Sequence, residues 1–96
     1  MTPLEKSRAG LHLLKEAIVD YLVQHPEGLT NIEITRGLEL ESDFEGGQKN
    51  YLSWSILGIL LAEKTVRYEK LGNTRRYFVD TIYLQMRENR SDSRVG

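Results

Sequence analysis

Two short stretches of this chain concentrate the side chains best suited to binding another molecule. The first is Gln48, Lys49 and Asn50, which precede an apolar run that ends at Lys64. Glutamine and asparagine amides can bond adenine at two points, and a lysine ammonium can bond guanine. The second is a basic hairpin around a Gly-Asn turn, whose polar residues are Lys70, Asn73, Arg75 and Arg76. A helix with a polar front and an apolar back, followed by a basic hairpin, indicates a nucleic-acid-binding module.

A second cluster, of carboxylates, has less support as a site. Its members precede two glycines: Glu39, Glu41, Asp43 and Glu45. Carboxylates can hold Mg²⁺, but no lysine stands near enough to complete a nuclease-like set, so a solvated acidic loop is favoured. His12 and His25 have no third ligand nearby, and the chain has no cysteine. Neither a G-x-S-x-G nor a Walker motif occurs. We therefore expect no enzymatic activity, no metal and no cofactor.

Periodicity predicts three helices that would position these residues. The first covers about 4–24, entered at Thr2-Pro3 with Glu5 in its first turn. The second covers about 31–38, where Thr30 and Glu33 form a capping box. The acidic segment 39–47 is a loop. The third helix covers about 48–63, and its apolar stripe consists of Leu52, Ile56, Ile59 and Leu60.

The core is expected between the first and third helices, since neither can bury its apolar face alone. Leu52, Ile56 and Ile59 of the third helix are expected to pack against Leu14, Ile18 and Leu22 of the first. Trp54 is expected to join this core, and the alternative is a stacking or partner contact at a surface. Leu40 and Phe44 are expected to pin the acidic loop to it.

The last third of the chain predicts a hairpin and a further short helix. Residues 65–71 and 75–80 alternate as strands about Gly72-Asn73, and 81–88 favours a helix. Residues 89–96 are polar and are predicted to be a disordered tail. The result is one α+β domain, mainly α, over residues 1–88.

Composition and charge set further bounds. The chain has 96 residues, 40% of them hydrophobic and 28% charged, as an ordinary single domain does. No apolar stretch approaches the roughly 20 residues of a membrane span, and no signal core opens the chain, so we expect a cytoplasmic protein. The net charge of −1 hides an uneven distribution. Residues 1–47 have four basic and nine acidic side chains, whereas residues 48–80 have six and three. Only the second half favours a polyanion.

These features resemble the winged helix-turn-helix family. The resemblance depends on Gly28-Leu29-Thr30-Asn31, on a third helix that ends LLAEKTVRYEK, and on a wing GNTRRYFV. It covers about residues 11–80 and implies three helices, a two-stranded β wing and a C-terminal segment. The link between the second and third helices is longer than in a tight helix-turn-helix. That segment also resembles small winged-helix modules associated with restriction-modification systems.

The resemblance implies a transcriptional regulator that binds double-stranded DNA. Its third helix would read the major groove and its wing would contact the backbone or minor groove. The implied DNA-binding residues are Gln48, Lys49, Asn50, Tyr51, Ser53, Lys70, Asn73, Arg75 and Arg76. A solvated helix start, and exposed strand charges opposite Glu69, are the competing interpretations.

Two other functions remain open at this point. One is a winged-helix protein-interaction module that uses the acidic first half and the aromatic third helix. The other is a DNA-binding subunit of a restriction-type complex. A homodimer is expected through the first helix, where Leu11, His12, Lys15 and Val19 leave surface for a partner, and through the segment Ile82 to Met86. No small-molecule cofactor or membrane partner is expected.

Overall fold

The structure is a computed structural model that describes residues 1–41 and 50–95. Within those residues the chain forms a mainly helical α+β domain with four helices and three strands. In chain order the elements are α1 (Pro3–Val23), β1 (Leu29–Thr30), α2 (Asn31–Gly37), α3 (Tyr51–Ala62), β2 (Val66–Leu71), β3 (Thr74–Val79) and α4 (Thr81–Val95).

Both predicted helix starts are confirmed by their hydrogen bonds. Thr2 caps α1, and its side chain accepts from the backbone N–H of Glu5 while the Glu5 carboxylate accepts from Thr2. Thr30 and Glu33 form the same reciprocal capping box at α2. Such a box satisfies two backbone donors that a helix leaves without partners.

The sheet is antiparallel, with β3 between β1 and β2. The hairpin of β2 and β3 turns at Gly72, whose φ of +62° suits glycine, and Leu71 pairs with Thr74. This confirms the predicted turn. The two-residue link before α2 is a third strand, because Leu29 pairs with Tyr77 and Thr30 with Arg76. The sequence analysis did not predict this pairing.

The core lies between α1, α2, α3 and the helix-facing side of the sheet. Its buried residues are Ile18, Val19, Leu22, Leu29, Ile34, Ile56, Leu57, Leu60, Val66 and Tyr77. Leu40 packs against this core as predicted, whereas Phe44 lies outside the described residues. Within the described ranges, no helix combines the length and apolar character needed to cross a membrane.

The predicted stripe of α3 is wrong by part of a turn. The buried positions are Ser53, Ile56, Leu57 and Leu60, whereas Leu52 and Ile59 are more than a third exposed. The polar Ser53 occupies a core position, so an apolar pattern that omits it is rotated about the helix axis. Trp54, expected in the core, is 55% exposed for the same reason.

The fourth helix confirms the predicted helix after the hairpin and is longer than expected. It begins at Thr81, where the Asp80 carboxylate accepts from the backbone N–H of Ile82. Its backbone is helical as far as Val95, so it covers most of the segment predicted as a tail. The disorder of residues 89–96 stays a prediction.

Candidate nucleic-acid interface

The start of α3 is held by a buried polar network rather than by a side-chain cap. Ser53 is fully buried, and its hydroxyl donates to Oδ1 of Asn31 and lies in hydrogen-bond contact with Thr35 Oγ1. The amide of Asn31 also donates through Nδ2 to the carbonyl of Asn50, at 3.1 Å. Thr35 in turn donates to the carbonyl of Asn31 at 2.8 Å. The network therefore sets the position of α3 on α2.

This arrangement corrects the role expected of Ser53. Its hydroxyl has zero exposure and three neighbouring polar groups, so it cannot reach a base edge while α2 and α3 are packed together. Its function is to position α3. Asn31 and Thr35 have the same role, and sequence reasoning missed both. The available signal was their i, i+4 spacing, which places them on one side of α2.

The remaining residues of the predicted helix front divide into two groups. Gln48 and Lys49 lie outside the described residues. Asn50 is half-buried and precedes the first turn of α3, where its side chain makes no capping hydrogen bond. Tyr51 is 54% exposed, and its ring centroid lies 6.0 Å from that of Trp54. The exposed start of α3 is therefore aromatic rather than charged.

Strand register separates the hairpin residues onto two faces. Because cross-strand partners share a face, Lys70 and Arg75 lie on the same side as the core residues Val66 and Tyr77. Arg75 lies over the ring of Tyr68, with 4.5 Å to the centroid. Neither Lys70 nor Arg75 has an acidic partner within the part of the chain that the structure describes. Asn73 is exposed in the turn.

Arg76 lies on the opposite face and is engaged within the protein. Its guanidinium donates to the carbonyl of Gly28 at 2.7 Å and lies 3.8 Å from the Glu33 carboxylate. Its cross-strand partner is Glu69, as expected, although Glu69 forms its ion pair with Arg67 at 3.1 Å. Arg75 and Arg76 therefore lie on opposite faces of the hairpin, and the expectation that both contact phosphates or the minor groove stays a prediction.

The first turn of α2 contacts both the start of α3 and the hairpin. Asn31 bonds the carbonyl that precedes α3, and Glu33 lies beside Arg76 of the hairpin. The backbone N–H of Thr30 that donates to Glu33 is the main cause that holds the pKa of this carboxyl below its usual value, and Arg76 adds to it. We define the α3–hairpin surface as the residues at the start of α3, on the helix-facing side of the hairpin and in its turn: Asn50, Tyr51, Trp54, Tyr68, Lys70, Asn73 and Arg75.

A groove of about 820 Å³ lies on another side of the protein, between α1, α4 and the end of α3. Two ion pairs cross it, Lys15 with Glu63 at 2.8 Å and Asp20 with Arg87 at 2.7 Å. Val19, expected on a partner surface, is buried at its floor. Lys15 and Val19 are therefore occupied within the domain rather than left for a partner.

Comparison with known proteins adds little. No protein-family model matches this chain, and no curated protein matches its sequence. Among solved structures, the crystal structure of M. tuberculosis Rv0081 is similar over 99% of this chain and 94% of that chain. The sequence identity is 22% and the TM-score is 0.48. Nothing about function follows from a likeness at that level.

Proposed function

We propose that this protein is a winged helix-turn-helix DNA-binding protein that acts as a transcriptional regulator. In this proposal α3 is the recognition helix, the hairpin of β2 and β3 is the wing, and the α3–hairpin surface contacts DNA. The cross-strand pair of Lys70 and Arg75 carries the proposal. These two cations have no acidic partner among the described residues and lie on the helix-facing side of the hairpin.

Charge distribution supports this orientation. The four basic and nine acidic side chains of residues 1–47 repel a polyanion, whereas the six and three of residues 48–80 attract one. Phosphate contacts by Lys70 and Arg75 would fix the position of the protein on DNA, and the residues at the start of α3 would then lie against the bases. Asn50 and Tyr51 are the described candidates for that contact.

Salt-dependent DNA binding tests the proposal. Each phosphate contact releases counterions, so the slope of log K against log salt reports their number. Replacing both Lys70 and Arg75 with alanine should reduce that slope by about 0.9 for each lost duplex contact. Fluorescence anisotropy of a labelled random-sequence duplex and of its separated strands measures it. If neither form of DNA binds with a salt dependence, the proposed function is wrong.

Arg67→Ala is the matched control. Arg67 is on the same hairpin but on the opposite face, where it pairs with Glu69 and lies 4.5 Å from the centroid of the Phe78 ring. Its removal should leave the salt slope unchanged. An equal loss per removed charge in the double variant and in Arg67→Ala would show that only the total charge of the hairpin matters.

A protein-interaction module is the second candidate, and one observation favours it. None of the twelve residues of α3 is charged, and its exposed positions include Tyr51, Leu52, Trp54 and Ile59. Exposed aromatic residues of this kind are enriched where proteins meet. The two candidates differ in their response to salt, because burial of apolar area is far less screened than phosphate contact.

We also propose a homodimer through α1 and α4. Leu4 and Leu13 are exposed on α1, and Ile82 and Met86 are exposed at i, i+4 on α4. Residues 3–13 of α1 include no buried side chain, so half of this helix makes no contribution to the buried core. Isolated helices of such length are marginal in water, which a second copy would remedy.

A further inference from the structure

The exposed face of α3 has an unusual chemistry for a surface that reads base edges. Tyr51 and Trp54 are each more than half exposed, and their rings are tilted by 36° rather than stacked on one another. No residue of the helix is charged. Contiguous exposed apolar patches often mark binding sites, whereas apolar side chains that are exposed singly do not.

The groups that could read base edges are scarce on the same helix. Base-edge recognition needs hydrogen-bond donors and acceptors directed into a groove, and the hydroxyl of Ser53 is buried. What remains at the start of α3 is mainly aromatic ring. In paired duplex DNA the base faces cover one another, and only their edges are accessible. Aromatic rings are therefore better suited to bases that have left the stack.

The cations of the hairpin lie close to the start of α2, which contacts the start of α3. Arg75 covers Tyr68, and Lys70 is its cross-strand neighbour on the face of the hairpin that is turned towards the helices. Thr30 pairs with Arg76, the neighbour of Arg75, and the next residue, Asn31, bonds the carbonyl that precedes α3. Aromatic platforms beside unneutralised cations are the combination that binds single strands, because rings stack on bases while cations follow the phosphates.

We propose that Tyr51 and Trp54 stack on unpaired bases, so that the protein prefers DNA with unstacked bases to fully paired duplex. This proposal rests on the proposed DNA binding and names the form of DNA that is bound. The phosphates of the strand lie against Lys70 and Arg75, and its bases lie against the rings of α3. Asn50, half-buried at the start of α3, borders the same site.

The sole tryptophan of the chain makes the test direct, since all tryptophan fluorescence reports on Trp54. The full-length protein is titrated at low salt with a thymidine strand of about 16 nucleotides, the upper end of known single-strand site sizes. The same strand in duplex form is titrated in parallel. We expect fluorescence quenching by the single strand and tighter binding to it than to the duplex. Tighter or equal binding of the duplex overturns the proposal and leaves the proposed DNA binding intact.

Variants distinguish stacking of bases on Trp54 from nonspecific binding of DNA to exposed apolar side chains. Trp54→Ala should weaken single-strand binding by about 5- to 150-fold, which is the fold-change expected for stacking on one base. Trp54→Phe, which keeps a ring, should lose less. Val23→Ala, at an exposed apolar residue at the end of α1, should change nothing. Equal effects of Trp54→Ala and Val23→Ala overturn the proposal. If neither strand nor duplex binds, the proposed DNA binding itself fails, and α3 is better explained as a protein-docking helix.

Discussion

The hydroxyl of Ser53 donates a hydrogen bond to the side-chain carbonyl of Asn31, which joins α3 to α2 inside the protein. The same amide donates to the backbone carbonyl of Asn50 at 3.1 Å. One asparagine side chain therefore contacts both the residue before α3 and the first buried position within it. Because Ser53 and Thr35 are buried, water cannot readily replace a hydrogen-bond partner that either of them loses.

Ser53→Ala should lower the free energy of unfolding by about 1–3 kcal/mol, the cost of leaving a buried polar partner unsatisfied. Denaturant unfolding measures the change. Ser55→Ala, two positions along the same helix and only half-buried, is the matched control and should change stability by no more than about 0.5 kcal/mol. Equal costs at both positions would contradict the assigned network.

The double mutant with Asn31→Ala extends this test. Because the two side chains contact each other directly, their effects should not add, with a coupling of about 0.5–3 kcal/mol. Additive effects would show that Asn31 and Ser53 contribute through separate contacts.

Ile56 and Ile59 offer a comparison of one residue type on one helix. Ile56 is 4% exposed and Ile59 is 37% exposed. Ile56→Ala should cost about 2–5 kcal/mol, because it leaves a cavity in the core. Ile59→Ala should cost less than about half of that, since the partly exposed Ile59 side chain buries less apolar area. Similar unfolding midpoints for the two variants would contradict the observed phase of α3.

Local signals in the sequence were sufficient for most of the fold. The reciprocal caps at Thr2 and Thr30, the turn at Gly72 and the helix after the hairpin each depend on a few neighbouring residues. The pairing of β1 with β3 was beyond such reasoning. Residues Leu29 and Thr30 are too few to show a strand period, and their partners lie almost fifty positions away.

The site was harder to predict than the fold. Sequence alone treats Ser53 as a polar front residue, whereas its hydroxyl is part of the packing between two helices. Arg75 and Arg76 are the same residue type at adjacent positions. Only the strand register shows that their side chains lie on opposite faces of the hairpin. The exposure of Trp54 and the burial of Ser53 have one cause, which is that the buried face of α3 is rotated from the predicted one. A polar residue in a core position shifts every expectation built on apolar periodicity.

The Glu33 carboxyl should make the free energy of unfolding depend on pH in the acid range. A backbone N–H of Thr30 that donates to its carboxylate is the main reason its pKa lies below the ordinary value of 4.5. A carboxyl with a lowered folded pKa contributes stability that is fully present above its unfolded pKa and lost as pH falls through the folded pKa. Glu33→Gln should therefore be less stable than the native protein at pH 7, and the difference should shrink as pH falls below about 4.5.

Glutamine is the informative replacement because it can still accept a hydrogen bond at this capping position. The comparison then isolates charge from the loss of the cap. Urea unfolding at a series of pH values measures the difference between the two proteins. A difference that stays constant throughout the acid range would show that the Glu33 charge does not contribute.

The dimer proposed for α1 and α4 predicts a defined response to charge. Replacing Ile82 and Met86 with glutamate should convert the dimer into monomer, since two carboxylates would then face an apolar partner surface. Sedimentation equilibrium at micromolar concentration measures the mass. Thr81→Glu, at an exposed position outside the segment Ile82 to Met86, is the matched control and should leave the dimer intact. A native protein that is purely monomeric would remove the proposal.

Arg75 and Arg76 should differ, although they are adjacent in sequence and identical in type. Arg76 donates to the carbonyl of Gly28 at 2.7 Å and lies 3.8 Å from the Glu33 carboxylate. Its loss should lower the free energy of unfolding by about 0.5–1.5 kcal/mol, a modest value because the side chain is partly solvated. The affinity for DNA should change little, since this guanidinium is engaged within the protein.

Arg75 has the opposite expectation. It lies over Tyr68 on the other face and has no acidic partner among the described residues, so Arg75→Ala should leave stability within about 0.5 kcal/mol of the native value. DNA affinity should fall, and the salt slope should decrease by about 0.9 on duplex if one phosphate contact is lost. The free energy of unfolding and the DNA affinity are measured for both variants. The observed register predicts lower stability in Arg76→Ala and lower DNA affinity in Arg75→Ala. Loss of DNA binding in Arg76→Ala with none in Arg75→Ala would place the interface on the opposite face of the hairpin.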